Sequence, residues 1–180
     1  MSPVVETMTS RERVMAALAG QPVDRPPICT PTNVATVELM DLVEAPFPDA
    51  NRDGEMNARL AATAYTDLGF DTIAPYFSII QESSALGCDM QWEQKDNWPT
   101  VRMSKPIWKT AADVKIPADF LEHQDTKAIT DSIKILKQEF GDEVAVVGKT
   151  MGPWTLAYHV FGVEPFLLGT VDDPGETMKA

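Results

Sequence analysis

A chain of 180 residues, 44% hydrophobic and 23% charged, has the composition of a folded domain with a sizeable core. Its net charge of −12 argues against nucleic-acid phosphates and anionic membrane surfaces as main partners. No apolar run approaches the ~20 residues that span a bilayer. Met1 to Met8 has neither a basic start nor an apolar run, and Cys29 and Cys88 stand far apart in no CxxC pattern, so the expectation is a cytoplasmic protein with reduced thiols.

Residues 1–8 read as a loose, disordered tail, and 9–180 as the folded region. Thr9 with Glu12 three positions on is a capping box, in which each residue bonds the other's main-chain N–H. Val14, Ala17 and Leu18 form the apolar face of the helix that follows, and Gly20 ends it. Val23-Asp24-Arg25-Pro26-Pro27 is a rigid connector. Pro27 to Thr30 is predicted as a short first strand, which Pro31 ends.

A helix is expected over about Val34 to Val43, then a Pro-rich turn at Ala45 to Pro48. Asp53 caps the next helix, whose buried positions are Leu60, Ala61, Ala64, Tyr65 and Leu68; Gly69 closes it. Phe70 to Ala74 is a second short strand, ending at Pro75-Tyr76. Cys88 to Glu93 and Thr100 to Met103 alternate about a polar turn, the pattern of an antiparallel hairpin. Thr110 to Val114 is a helical turn. From Asp125 or Thr126, Ile129, Ile133, Leu136 and Phe140 mark one face of a long helix.

Val144 to Val147 is short, β-branched and uncharged, and reads as a strand buried on both faces. Gly148 to Gly152 breaks it, and a helix begins near Trp154 with Pro153 in its first turn. Ligands of parallel α/β folds bind at such strand-end turns. A further helical segment around Pro165 to Leu168 precedes a helix start at Asp172-Asp173-Pro174. Three strand–helix units leave two sheet edges open, which proteins cover. The fold class expected is α/β: half of a (β/α) barrel with an inserted antiparallel hairpin, completed by a second barrel half or by another copy of the chain.

Pro153-Trp154-Thr155-Leu156 after a Gly-containing turn resembles a signature of the uroporphyrinogen decarboxylase superfamily. Ser10-Arg11-Glu12-Arg13, Pro22 through Pro27, and Ala85-Leu86-Gly87-Cys88 fit the same superfamily. The resemblance runs nearly the whole chain and implies the N-terminal half of a TIM barrel of about twice this length. The decarboxylase branch carries arginines after the first strand, where this chain has Thr30-Pro31-Thr32-Asn33. It carries an aspartate after the second, where this chain has Tyr76-Phe77-Ser78-Ile79-Ile80. Its tyrosine beyond Trp-Thr-Leu falls on His159. A multiply anionic tetrapyrrole would lack its guanidinium partners here.

Pro27-Ile28-Cys29, Val37 through Asp41, Ala45-Pro46 with Pro48, and Gln81-Glu82 resemble the other branch, the corrinoid-dependent methyltransferases such as methylcobamide:coenzyme M methyltransferase. That resemblance implies one-carbon chemistry: methyl transfer between a corrinoid held by a partner protein and a small thiol or folate acceptor. Zinc would favour the thiolate. The branch's zinc ligands are a His-x-Cys pair and a later cysteine, all in the second barrel half. Here His123 precedes Gln124-Asp125 and His159 precedes Val160-Phe161, so zinc is expected only with that half.

Thr30, Thr32, Asn33, Tyr76, Glu82, Lys149, Gly152, Trp154 and His159 are the candidate substrate-binding residues; no catalytic residue or metal ligand is assigned. Each has a plainer reading. Trp154 and Thr155 shape the substrate floor, or Trp154 packs and Thr155 caps the helix. His159 is an acid or base facing the pocket, or a satisfied structural histidine. Lys149 holds an anionic group, or is solvated. Thr30, Thr32 and Asn33 line the mouth, or are turn residues. Glu82, if buried, needs a partner. Cys29 and Cys88 have no companions at ligand spacing and read as buried structural cysteines.

The sequence is compatible with three functions. They are a methyltransferase half, a decarboxylase with unusual contacts, and a non-catalytic truncated barrel acting as a binding or assembly partner.

Overall fold

A computed structural model describes residues 6–30 and 34–177 of the protein. The chain divides into two compact units, Met1–Phe77 with Ala128–Lys149, and Ser78–Lys127 with Thr150–Ala180.

The first unit opens with helix α1, Ser10–Leu18. Thr9 and Glu12 form both bonds of the expected capping box. The buried side of α1 is Arg13 with Val14, whereas Leu18 is exposed, contrary to the apolar-face expectation. Arg13 turns inward to meet Asp24 at 2.7 Å and Asp71 at 2.6 Å, and Arg25 joins Asp71 at 2.6 Å. Thr7 and Met8 donate their N–H groups to Asp24, so this end of the expected tail is held; residues 1–5 lie outside the described residues.

The expected strand at Pro27 to Thr30 does not form. Two prolines lack N–H donors, and the N–H of Ile28 goes to the Asp71 carboxylate at 2.7 Å. One ladder-like bond remains, from Asp71 N–H to the Ile28 carbonyl at 2.7 Å. Cys29 is exposed, not buried as expected.

Helix α2 is Val37–Leu42, capped by Thr36 and shorter than expected. Helix α3 is Gly54–Thr66, with Asp53 accepting from Met56 N–H at 2.8 Å. Leu60, Ala61 and Ala64 are buried on it, and Tyr65 is half-buried. Leu68 is exposed, because it lies beyond the helix end where helical spacing no longer governs direction.

Strand β1 is Thr72–Ile73. In the second unit, helix α4 is Gln81–Ala85 and strands β2 (Met90–Gln91) and β3 (Thr100–Val101) pair antiparallel, as the alternation predicts. A 3-10 turn at Ala111–Asp113 follows, boxed by Thr110 and Asp113. Helix α5, Gln124–Phe140, gives its residues from Ala128 onward to the first unit.

Strand β4, Ala145–Val146, pairs parallel with β1 in the register Thr72↔Ala145 and Ile73↔Val146. Only Val144 of the run 144–147 is buried; its neighbours are half-exposed, since a two-strand ladder covers little. Among the described residues the parallel frame is this pair, not three strands. Leu39, Phe47, Leu60, Ile73, Phe77, Leu136 and Val144 form the first core.

Helices α6 (Pro153–Phe161), α7 (Val163–Asp172) and α8 (Pro174–Thr177) complete the second unit. Pro153 occupies the first helical position of α6, and α8 starts at the expected Pro174. Ile80, Cys88, Val101, Val160, Phe161 and Phe166 form the second core. No helix of the described residues is long and apolar enough to cross a membrane.

Candidate functional site

In the second unit the expected Gly-Pro-Trp turn is held by α4. The Glu82 carboxylate accepts the N–H of Met151 at 2.9 Å and the hydroxyl of Thr150 at 3.2 Å. Glu82 is half-buried, so it has the partners the sequence required of it. The next residue, Ser83, is fully buried and meets His159 Nδ1 at 2.7 Å and Met151 Sδ at 4.0 Å. Ser84 then donates to the buried Asp125. Three consecutive side chains of one short helix thus tie three separate segments together.

His159 is 3% exposed. Burial pushes its imidazole below the ordinary value, with the nearby Glu82 charge opposing. The ring is therefore a neutral group bonded to Ser83. Cys88 donates to the His159 carbonyl at 3.7 Å, and burial pushes its thiol up to about 11. A protonated thiol of this kind is structural.

Gly152 is the N-cap of α6, and a methyl group placed on it would meet nothing within 4 Å. The turn thus opens onto free space. No side chain caps α6, so Thr155 does not take the capping role. Trp154 is 46% exposed, yet its indole is fixed: Nε1 donates to the Tyr158 hydroxyl at 2.5 Å. Trp154, Tyr158 and Phe166 meet edge to face, with centroids 5.0 to 6.1 Å apart. This is an ordered aromatic surface beside an open turn.

In the first unit, Tyr76 is buried and Lys149 is half-buried with its Nζ 5.5 Å from the Tyr76 ring centroid. Burial pushes the Lys149 ammonium below its ordinary value. Lys149 is thus not the freely solvated side chain of the plainer reading. Thr30 is half-buried in this unit; Thr32 and Asn33 lie outside the described residues.

Sequence reasoning missed Ser83, Met151 and Tyr158. Tyr158 was findable, four positions after Trp154 on a helix and hence on the same face. Nothing in the sequence signalled that Ser83 meets His159, 76 positions away.

Among the described residues no three His, Cys, Asp or Glu side chains converge to hold a metal ion. The described residues do not fit zinc.

The profile of the uroporphyrinogen decarboxylase (URO-D) family matches residues 9–180. The methylcobamide:CoM methyltransferase MtaA of Methanosarcina barkeri is 34% identical over 159 residues, 88% of this chain and 47% of that protein. The methylcobamide:CoM methyltransferase MtbA of Methanosarcina acetivorans is 35% identical over 155 residues, 86% of this chain and 45% of that protein. A solved methyltransferase from Methanosarcina mazei shares the α/β fold with a TM-score of 0.87 at 29% identity, covering 95% of this chain and 50% of that one. The chain spans about half the length of the curated relatives it matches.

Proposed function

The chain belongs to the uroporphyrinogen decarboxylase family, and from that premise we propose that it forms the N-terminal half of a barrel that moves a methyl group between a corrinoid protein and a small thiol. The observation that carries this reading is the pair of curated relatives, both named as methylcobamide:CoM methyltransferases and both matched over most of this chain. The inserted antiparallel hairpin, the cytoplasmic setting, and cover from a second half or second copy belong to the same reading. So do one-carbon metabolism and a folate as the alternative acceptor.

In this reading the residues of the chain bind and orient. Glu82 fixes the turn 150–152 by taking a main-chain N–H and a hydroxyl. That leaves the space over Gly152 open for a reactant. Trp154, locked by Tyr158, gives a flat apolar wall whose ordering is already complete before anything binds. Burial keeps His159 neutral, and its bond to Ser83 fixes the ring in one orientation.

A second reading, decarboxylation, is favoured by the description of the family profile itself. It is opposed by the absence of arginine at 30–33 and of an acid at 76–80, groups that would meet the carboxylates and the pyrrole N–H groups of a multiply anionic tetrapyrrole.

Protein from the native source separates the two. The methyltransferase reading expects a mass near twice that of this chain, about one zinc per chain, and no turnover of uroporphyrinogen. Uroporphyrinogen turnover would establish the decarboxylase. A 180-residue protein without zinc would support the binding-partner function.

A further inference from the structure

Beyond the paired residues of β1 and β4 the chain leaves the ladder on both strands. Three residues past Ile73 stands Tyr76, and three past its partner Val146 stands Lys149. Both therefore lie at the carboxyl end of the parallel pair, the end at which such sheets bind ligands. The Lys149 side chain sets Nζ over the Tyr76 ring, 5.5 Å from its centroid.

This ammonium is under-compensated. It has lost part of its hydration, and burial is the sole cause of its shift. Among the described residues no carboxylate lies within ion-pairing distance of it. An aromatic face returns only part of what water supplied. In a chain of net charge −12 the overall field repels anions, so a cation that holds one must do so locally. A desolvated cation left facing an aromatic ring at a strand end is a place where one anion would be held.

We propose that Lys149, seated on Tyr76, is an anion-binding subsite that takes the sulfonate or carboxylate end of the small thiol acceptor. The subsite rests on the methyl-transfer reading for the identity of its ligand, and on the seating of a half-buried ammonium over the Tyr76 ring for its chemistry. The anion neutralises the ammonium and holds its proton; Tyr76 blocks the far side.

The test is amine acylation of the full 180-residue chain at constant ionic strength, with each lysine followed by peptide mass spectrometry. Ethanesulfonate is the probe, ethanol the neutral control, and inorganic phosphate the competing source of negative charge. At about twice its Kd, ethanesulfonate slows labelling of Lys149 about threefold, as 1 + [L]/Kd requires. The exposed Lys105 and Lys134 keep their rates. Ethanol has no effect, and phosphate protects less than ethanesulfonate.

Calorimetric binding of ethanesulfonate persists in Lys149→Arg and in Tyr76→Phe and is lost in Lys149→Met. No protection by ethanesulfonate, protection by phosphate alone, or unchanged binding in Lys149→Met overturns the proposal. The two readings fail separately. If the native protein methylates thiols but Lys149→Met leaves the preference for an anionic over a neutral thiol intact, the subsite is wrong and methyl transfer stands. If ethanesulfonate protects Lys149 but no thiol is methylated, the subsite stands and the reaction is wrong.

Discussion

The carboxylate of Glu82 accepts the main-chain N–H of Met151 at 2.9 Å, joining positions 69 residues apart. A half-buried N–H that loses its acceptor costs more than the bond itself contributes. Glu82→Ala is expected to lose about 1–2 kcal/mol of stability, and Glu82→Gln, which keeps an acceptor oxygen, less than about 1 kcal/mol. Urea unfolding checks this. Equal losses in both variants would mean that charge, not the turn bond, is what matters.

His159 makes stability fall on mild acidification. Its folded imidazole is held below 6.5 by burial, with Glu82 opposing. As pH drops through 6.5 the unfolded chain takes up the proton first. The contribution is thus complete above that pH and is lost below it, until the folded ring itself protonates. The slope from one such group is at most about 1.4 kcal/mol per pH unit. Unfolding free energies between pH 7.5 and 5.5 should show it in the wild type and not in His159→Asn. The same slope in both would place the titrating group elsewhere.

Asp71 acts at lower pH. Burial alone would raise its carboxyl, but bonds from Arg25, Ser10, the Ile28 N–H and Arg13 outweigh burial and bring it from 3.8 to about 2. Its stabilisation is full above the unfolded value and is lost as pH falls toward the folded one. The amount is about 2 kcal/mol. Arg25→Met removes one partner while leaving Arg13 paired. The loss of stability between pH 4 and 2 should shrink in that variant. An unchanged loss would show that Arg25 does not hold the Asp71 charge.

Gly152 separates folding from function. Its φ is −68°, and an added methyl group meets nothing. Gly152→Ala should therefore keep stability or raise it by about 0.4–1 kcal/mol. Gly69, at φ +68°, should lose about 1 kcal/mol or more on the same change. If the space over Gly152 is where a reactant sits, Gly152→Ala lowers methyl transfer in a protein that is no less stable. Full activity would move the reactant elsewhere.

Local signals in the sequence were reliable where the chemistry is local. The Thr9–Glu12 box, the Asp53 cap and Pro153 at the head of α6 each depend on residues a few positions apart. Strand lengths were not readable in this way. Ile28 spends its N–H on Asp71, a partner 43 positions away, so its segment cannot form a ladder. Arg13 displaced Leu18 from the buried side of α1 for the same reason: its acids come from elsewhere in the chain. At the candidate site, Trp154, Glu82 and His159 could be singled out by type and position. The Ser83–His159 bond and the seating of Lys149 over Tyr76 follow from tertiary placement, which no local pattern encodes.

The most direct measurement of the central claim is methyl transfer by the native-source protein. Methylcobalamin is supplied with 2-mercaptoethanesulfonate, and loss of its methyl group is followed by absorbance and by mass of the methylated thiol. The account predicts thiol-dependent loss of the methyl group, with methylated thiol formed in equal amount. Intact methylcobalamin in the presence of stable, zinc-loaded protein and thiol would contradict it.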